Sequence, residues 1–183
     1  VTADDRVAIF GLGGVGLAAL LGAVVAGAGT IVAVDVVPEK LELARELGAT
    51  HAVHAGEDVV GDVRDATGGG ADKAIETVGS ARVLADAYAA TRHGGTTVTV
   101  GLPHPEQMLS IPAVSLVAEE RTLKGSYLGS CVPKRDIPRF IEMYKTGRLP
   151  VDRLLTHRLS LDELNEGFDR LAGGHGVRQA VIF

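Results

Sequence analysis

The sequence is poor in cysteine, with Cys131 the only one among 183 residues. A single cysteine can form neither a disulfide framework nor a cysteine zinc cluster within the chain. Tryptophan is absent, and aromatic residues make up only 4% of the composition. The core must therefore be built from Val, Ala, Leu and Ile, which suits a parallel sheet covered by helices.

Basic charge and long apolar runs are also scarce. The formal net charge of −5 leaves no basic footprint for a nucleic acid. The longest apolar stretch, near Leu17 to Ala28, is interrupted by Gly22 and Gly27 and is too short to span a bilayer. Nothing resembles a signal peptide. These absences predict a soluble, cytoplasmic protein with no nucleic acid and no membrane as partner.

The chain has no methionine before Met108, and it begins at Val1, five residues before its first predicted strand. We therefore expect it to be a piece of a longer polypeptide. Its length is sufficient for one sizeable core, since a folded chain of this size buries roughly 70% of its extended surface.

Glycine, in contrast, is abundant, with 24 residues, and three glycines form the most informative motif. The apolar run from Arg6 to Phe10 predicts a buried strand. Gly11, Gly13 and Gly16 follow at once in G-x-G-x-x-G spacing, and a helical pattern begins at Val15. This strand–turn–helix context is the one in which the glycine motif indicates a dinucleotide site.

Each glycine of the motif has a physical role in a dinucleotide site. Gly11 permits the turn, Gly13 lets the backbone approach a pyrophosphate, and Gly16 lets the helix pack close to the strand. Free N–H groups of the first helical turn face the phosphates. The alternative is an α/β domain in which these glycines serve only turns and packing.

An acidic residue completes the pattern, because Asp35 follows a second apolar run, Ile31 to Val34. Its carboxylate can accept hydrogen bonds from both hydroxyls of the adenosine ribose. A 2′-phosphate would meet the same negative charge, so the sequence predicts NAD rather than NADP.

The rest of the first 100 residues alternates between helical and strand patterns. The predicted elements, in order, are a helix over Pro38 to Leu47, a strand over His51 to His54, a helix over Glu57 to Ala66, a strand over Asp72 to Val78, a helix over Ala81 to Thr91 and a strand over Thr96 to Val100. This order predicts an α/β fold, a doubly wound parallel sheet of the Rossmann type.

The pattern changes after Pro103 to Pro105. The segments predicted there are edge strands over Met108 to Ile111 and Arg121 to Tyr127, helices over Ile137 to Tyr144 and Leu161 to Leu171, and a final strand over Gln179 to Phe183.

Five motifs together resemble the zinc-type medium-chain alcohol dehydrogenases. They are Gly11-Leu-Gly-Gly-Val-Gly16, Glu46-Leu-Gly-Ala-Thr50, Val100-Gly-Leu-Pro103, Thr156-His-Arg-Leu159 and Asn165-Glu-Gly-Phe-Asp169. The resemblance covers nearly the whole chain. It implies an NAD-binding domain over 1–128 and a C-terminal segment over 129–183 that returns to a second, substrate domain. That domain, which holds the catalytic zinc in the family, is absent from this chain.

The resemblance also implies which residues bind NAD. The full set is Gly11, Gly13, Gly14, Val15, Gly16, Asp35, Lys40, Val78, Val100, Ser126, Leu128 and Arg178. By family position, Asp35 and Lys40 would hold the adenosine ribose, and Arg178 would reach the pyrophosphate. At Ser80 several relatives carry an arginine, so no cofactor contact is carried over to that position.

The nicotinamide end of the site is implied in the same way. Val15 and Val78 would form apolar walls beside the ring. The backbone at Val100, Ser126 and Leu128 would hold the carboxamide.

No metal ligand or catalytic residue is predicted within this chain. His51 and His54 would point to opposite faces of a strand, and no third ligand completes a set. The family's cysteine–histidine–cysteine zinc ligands have no counterpart. We interpret His157 as a polar residue in a turn and Cys131 as an ordinary loop cysteine.

The resulting hypothesis is the coenzyme part of an alcohol dehydrogenase. The parent enzyme would transfer a hydride between a primary or secondary alcohol and NAD, whereas the isolated chain would bind cofactor without turnover. The family's dimers imply a homodimer or homotetramer joined near Met108 to Ile111. Two alternatives stay open: a sister enzyme (polyol or formaldehyde dehydrogenase, or quinone reductase) and a non-catalytic nucleotide-sensing domain.

Overall fold

The computed structural model describes all residues, 1–183, as alternating strands and helices followed by a smaller strand pair. The elements of the first part are β1 (Arg6–Phe10), α1 (Gly14–Ala26), β2 (Thr30–Asp35), α2 (Pro38–Glu46), β3 (His51–His54), α3 (Val59–Ala66), β4 (Ala71–Glu76), α4 (Ala81–Ala90), β5 (Thr91–Thr99), α5 (Ala113–Ala118) and β6 (Thr122–Gly125). Those of the second part are α6 (Pro133–Lys145), β7 (Leu155–Leu159), α7 (Leu164–Ala172) and β8 (Arg178–Val181).

Six strands form one parallel sheet in the order β3-β2-β1-β4-β5-β6. The chain runs outward from β1 through β2 to β3, then returns to the other side of β1 and runs outward again from β4. The order therefore reverses between β1 and β4, and this reversal opens a crevice at the carboxyl ends of the strands. The predicted doubly wound Rossmann sheet is confirmed.

Side chains of the central strands alternate between two buried faces. Val7 and Ile9 of β1 belong to a cluster of 14 buried residues that includes side chains of α1 and α2. Ala8 and Phe10 belong to a second cluster of 10, which includes side chains of α3 and α4. Because both faces are covered, β1 is apolar from Val7 to Phe10 and shows no polar alternation there.

The C-terminal part contributes to the first of these clusters. Leu154 and Val177 are 5% and 8% exposed and pack with the side chains of β1, α1 and α2. β7 and β8 pair in parallel and make a separate two-stranded sheet, connected through α7. Part of the segment 129–183 therefore lies in the core of the first 128 residues. The predicted domain boundary at residue 128 stays a prediction.

α6 differs from every other long helix, because none of its residues is buried. Its Ile137, Phe140 and Ile141 side chains are 46–50% exposed. No helix of the chain is both long and apolar enough to cross a membrane.

One predicted strand is wrong. The segment Met108 to Ile111 pairs with no strand, and the sheet edge is β6, which follows the short helix α5. An apolar run forms a strand only when a neighbour supplies the ladder of hydrogen bonds, and this run has none within the chain. Two elements, α5 and β7, were not predicted. The prediction of a turn at His157 is wrong, because His157 lies in β7.

The other differences concern boundaries. α3 begins at Val59 because the Asp58 side chain accepts a hydrogen bond from Gly61 N–H and acts as the N-cap. α7 begins at Leu164, three residues later than predicted. β5 begins at Thr91, earlier than predicted, with an irregular register between Ala71 and Lys73 of β4.

A charged cluster ties the amino ends of the central strands together, at the edge of the sheet opposite the crevice. The Asp72 carboxylate of β4 accepts hydrogen bonds from the backbone N–H and Nε of Arg6, at 2.8 and 2.9 Å, and from Arg92 Nε. Arg6 also donates to the carbonyl of Thr67 at 2.9 Å. The hydrogen bonds from Arg6, above all, hold the pKa of Asp72 well below its ordinary value.

Replacing Asp72 with Asn should lower the free energy of unfolding by about 1–3 kcal/mol at pH 7, because charged hydrogen bonds to a half-buried carboxylate are lost. A carboxyl whose pKa is depressed by folding stabilises the protein above its unfolded pKa, near 4, and loses that contribution as the pH falls. Denaturant titrations should therefore show the difference shrinking below about pH 4. The control is Asp65→Asn, an exposed residue of α3. A difference that persists unchanged at pH 3 would contradict the charge argument.

Candidate functional site

A cleft of about 460 Å³ opens at the carboxyl ends of β1, β2 and β4, where the strand order reverses. Its lining residues lie in four segments, within 10–13, 34–40, 55–59 and 77–86. Of the residues predicted from sequence, five line it directly: Gly11, Gly13, Asp35, Lys40 and Val78.

The glycine turn forms one wall of the cleft. Gly11 donates its N–H to the carbonyl of Val34 at 2.8 Å and has φ of +90°, a conformation that side chains disfavour. A Cβ at Gly16 would lie 1.8 Å from the carbonyl oxygen of Gly11, so only glycine allows α1 to pack this close to β1. A Cβ at Gly13 would meet no atom within 4 Å. Packing within the protein therefore does not require glycine at position 13.

The start of α1 is approached by a residue from the far end of the chain. The guanidinium of Arg178, on β8, occupies the space beside Gly14, where an added Cβ would lie 2.5 Å from its Nε and 2.8 Å from its Cζ. A positive side chain thus lies against the N-terminal turn of a helix, where free backbone N–H groups already favour anions. No local sequence pattern predicts this contact, because Gly14 and Arg178 lie at opposite ends of the chain. Only the family resemblance implied that Arg178 reaches the phosphate end of the site.

Asp35 is fixed at the end of β2 through both of its carboxylate oxygens. One accepts the N–H of Leu12 at 2.6 Å, and the other accepts the N–H of Val37 at 2.9 Å. The first bond ties the side chain to the glycine turn, and the second ties it to the start of α2. Each oxygen retains a lone pair for a further donor in the cleft. Lys40, in the first turn of α2, lines the same cleft.

The loop after β4 forms the opposite wall. Thr77 donates its hydroxyl to the carbonyls of Phe10 and Gly11 at 3.0 and 2.9 Å, which joins this loop to the glycine turn. Val78, the next residue, is 54% exposed and lines the cleft. The sequence reading assigned no role to Glu76 or Thr77. The available signal was an acidic residue near the end of a predicted strand, as in β2.

The remaining predicted positions lie around the cleft rather than in its lining. Val15 is 52% exposed on the first turn of α1. Val100 and Ser126 follow β5 and β6, and their N–H groups donate to the carbonyls of Glu76 and Thr99. Leu128 is 82% exposed in the turn after β6. The roles of these residues stay predictions.

No three His, Cys, Asp or Glu side chains converge in a group that could hold a metal ion. His54 makes a hydrogen bond with the carbonyl of Val36, and His51 makes one with Thr50. Cys131 is exposed in the loop before α6.

The reversed strand order, the glycine turn at the amino end of α1 and the acid closing β2 define the class of protein. This is a Rossmann-type fold with a crevice at its topological switch point, the position at which such folds bind dinucleotides. The comparisons with known proteins place the chain more closely.

A family model described as "Zinc-binding dehydrogenase" matches residues 14–146. The chain is 39% identical to NDMA-dependent alcohol dehydrogenase from Amycolatopsis methanolica, over 100% of the chain and 50% of that protein. It is also 39% identical to geraniol dehydrogenase from Castellaniella defragrans, over 98% of the chain and 48% of that protein. Among solved structures, benzyl alcohol dehydrogenase from Acinetobacter calcoaceticus matches with a TM-score of 0.95 and 34% identity, over 99% of the chain and 50% of that structure.

The chain belongs to the zinc-binding dehydrogenase family and corresponds to the NAD-binding domain of its alcohol dehydrogenases. It spans about half the length of these relatives. The resemblance stated from the five sequence motifs is confirmed.

Two glycines of α1 provide a test of the close helix–strand contact. Gly16→Ala should destabilise the chain by about 3 kcal/mol or more, because the new methyl group would overlap the backbone of Gly11. Gly22→Ala should instead stabilise it by about 0.5–1 kcal/mol, because Gly22 is exposed in the same helix with open space around it. Denaturant unfolding measures both variants. Equal effects of the two substitutions would contradict the packing argument.

Proposed function

We propose that the chain binds NAD in this cleft and forms the coenzyme part of an alcohol dehydrogenase. The parent enzyme transfers a hydride between a primary or secondary alcohol and NAD. The observation that carries the proposal is the Asp35 carboxylate, which is fixed by the N–H groups of Leu12 and Val37 directly beside the glycine turn. A fixed acid in this place suits the two hydroxyls of an adenosine ribose and disfavours a 2′-phosphate.

The residues around the cleft fit the parts of the coenzyme in order. Asp35 and Lys40 are suited to the adenosine ribose, and the N-terminal turn of α1, with Arg178 beside it, is suited to the pyrophosphate. At Gly13 the backbone is free to approach a phosphate, since no side chain or protein neighbour intervenes.

The nicotinamide would lie at the other end of the cleft. Val78 in the cleft lining and Val15 on the exposed first turn of α1 would offer it apolar walls. The backbone at Val100, Ser126 and Leu128 would hold its carboxamide. When bound, NAD supplies the chemistry by accepting a hydride at its nicotinamide ring. The residues of this chain bind and orient it.

The substrate would be a small alcohol or aldehyde. The names of two relatives, geraniol dehydrogenase and benzyl alcohol dehydrogenase, support an alcohol as the substrate class. A zinc ion, which in the family polarises the alcohol oxygen, would be held by the half of the parent enzyme that this chain does not span. We therefore expect the isolated chain to bind coenzyme without turnover, in the cytoplasm.

Calorimetric titration tests the coenzyme assignment. The chain should bind NADH at least about tenfold more tightly than NADPH, because the Asp35 carboxylate repels a 2′-phosphate. Asp35→Ala should weaken NADH binding by about 10- to 100-fold. It should also bring the ratio of the NADH and NADPH dissociation constants close to one. The ratio is the decisive quantity, since losing the Leu12 and Val37 contacts also loosens the site for both coenzymes.

The control is Asp86→Ala, which removes the same charge from another lining residue of the cleft. It should leave the ratio of the NADH and NADPH dissociation constants within about threefold of its value in the parent chain. Equal or tighter binding of NADPH by the parent chain would refute the assignment.

We also infer that the chain self-associates as a homodimer or homotetramer. Leu102, Met108, Val114 and Val117 are 70–84% exposed, and all lie in the segment from 101 to 118. Exposed apolar side chains gathered in one segment favour an interface, and homo-oligomers are commonly closed by two-fold symmetry.

Sedimentation of two variants separates this surface from the exposed face of the C-terminal part. Val117→Lys should convert the oligomer to monomer, because a charge would be buried at the interface. Leu161→Lys, which places the same charge on an exposed residue before α7, should leave it unchanged. Dissociation by the second substitution alone would assign the interface to the C-terminal part, and a monomeric parent chain would exclude both.

A further inference from the structure

Glu76 is the one charged residue among the buried residues of the chain, and it is only 1% exposed. It is the last residue of β4, opposite Phe10 of β1 on one side and Thr99 of β5 on the other. A buried carboxyl group at the centre of a sheet is costly unless hydrogen bonds compensate it.

Three donors compensate the Glu76 carboxyl group. Its Oε1 accepts the N–H groups of Val78 and Gly79, at 2.7 and 2.6 Å, and its Oε2 accepts the hydroxyl of Thr99 at 2.7 Å. All three donors belong to the protein, and Glu76 does not line the cleft. Its influence on the cleft must therefore pass through the loop whose N–H groups it holds.

That loop is fixed on its outer side as well. Gly79 has φ of +80°, and a Cβ there would lie 2.8 Å from the carbonyl oxygen of Leu102, in the loop after β5. Val78 is held between Thr77, which is bonded to the glycine turn, and Gly79, which is packed against Leu102. The exposed Val78 side chain is the part of this arrangement that faces the cleft.

We propose that Glu76 is a positioning residue for the nicotinamide end of the cleft: its buried carboxyl group fixes the backbone of Val78 and Gly79 and so holds the Val78 wall in place. This inference rests on the proposed NAD-binding function. It adds a residue that touches no part of the coenzyme but determines how one end of it is held.

A purely structural role predicts a different pattern from a positioning role. If Glu76 only stabilised the fold, its loss would weaken every ligand of the cleft alike. If it positions the Val78 wall, its loss weakens ligands that reach that wall and spares those that do not. NADH has the second ribose and the nicotinamide ring, whereas ADP has neither.

The experiment titrates NADH and ADP into the full chain and into two variants of Glu76. Glu76→Leu keeps most of the side-chain volume but removes both acceptor oxygens. It should weaken NADH binding about tenfold and leave ADP binding within about twofold of the parent chain. Glu76→Gln keeps an oxygen that can accept from both N–H groups, so NADH binding should stay within about threefold of the parent chain. At saturation, the fluorescence of bound NADH should fall in Glu76→Leu, because the ring is less shielded from water.

A second pair of variants tests the positioning role of Glu76 if Glu76→Leu does not fold. Thr99→Val removes the hydroxyl that orients the carboxyl group, and it should weaken NADH about threefold while sparing ADP. Thr99→Ser keeps the hydroxyl and should bind as the parent chain does. Equal weakening of NADH and ADP in Glu76→Leu, or in Thr99→Val where it is the deciding variant, would overturn the positioning role. Failure of the parent chain to bind either ligand would instead overturn the proposed function, and this inference with it.

Discussion

The close approach of α1 to β1 is the constraint on which the rest of the structure depends. It exists because Gly16 faces the carbonyl oxygen of Gly11 at a separation that leaves no room for a Cβ. This contact puts the first turn of α1, with its unpaired N–H groups, directly over the end of the central strand. From there the glycine turn is within reach of the Asp35 carboxylate on one side and the Thr77 hydroxyl on the other.

Two acidic residues close the two strands that flank β1, and they act on the backbone in the same way. Asp35 holds the N–H groups of Leu12 and Val37 from the end of β2, and Glu76 holds those of Val78 and Gly79 from the end of β4. Parallel strands end together at one edge of the sheet, so both acids stabilise loops that border one cleft. They differ in exposure, since Asp35 lines the cleft and Glu76 is buried beneath it.

The two ends of the sheet are stabilised by different means. At the amino ends, the ion pairs of Asp72 with Arg6 and Arg92 join β1, β4 and β5. At the carboxyl ends, backbone N–H groups and the Thr99 hydroxyl, rather than charged side chains, donate hydrogen bonds to Asp35 and Glu76. Two further positive side chains lie near these carboxyl ends: Lys40 lines the cleft, and the Arg178 guanidinium lies beside Gly14 at the start of α1.

The sequence by itself determined the parallel, doubly wound sheet and the glycine–acid pattern of the cleft, because these follow from the alternation of helical and strand patterns and from short spacings around Gly11, Gly16 and Asp35. It failed where a segment depends on a distant neighbour. Met108 to Ile111 has the composition of a strand but no partner in the chain, and β7 exists because β8 pairs with it. The contact of Arg178 with Gly14 and the burial of Glu76 were likewise decided by tertiary structure, since each joins residues through packing or backbone geometry that no local pattern records.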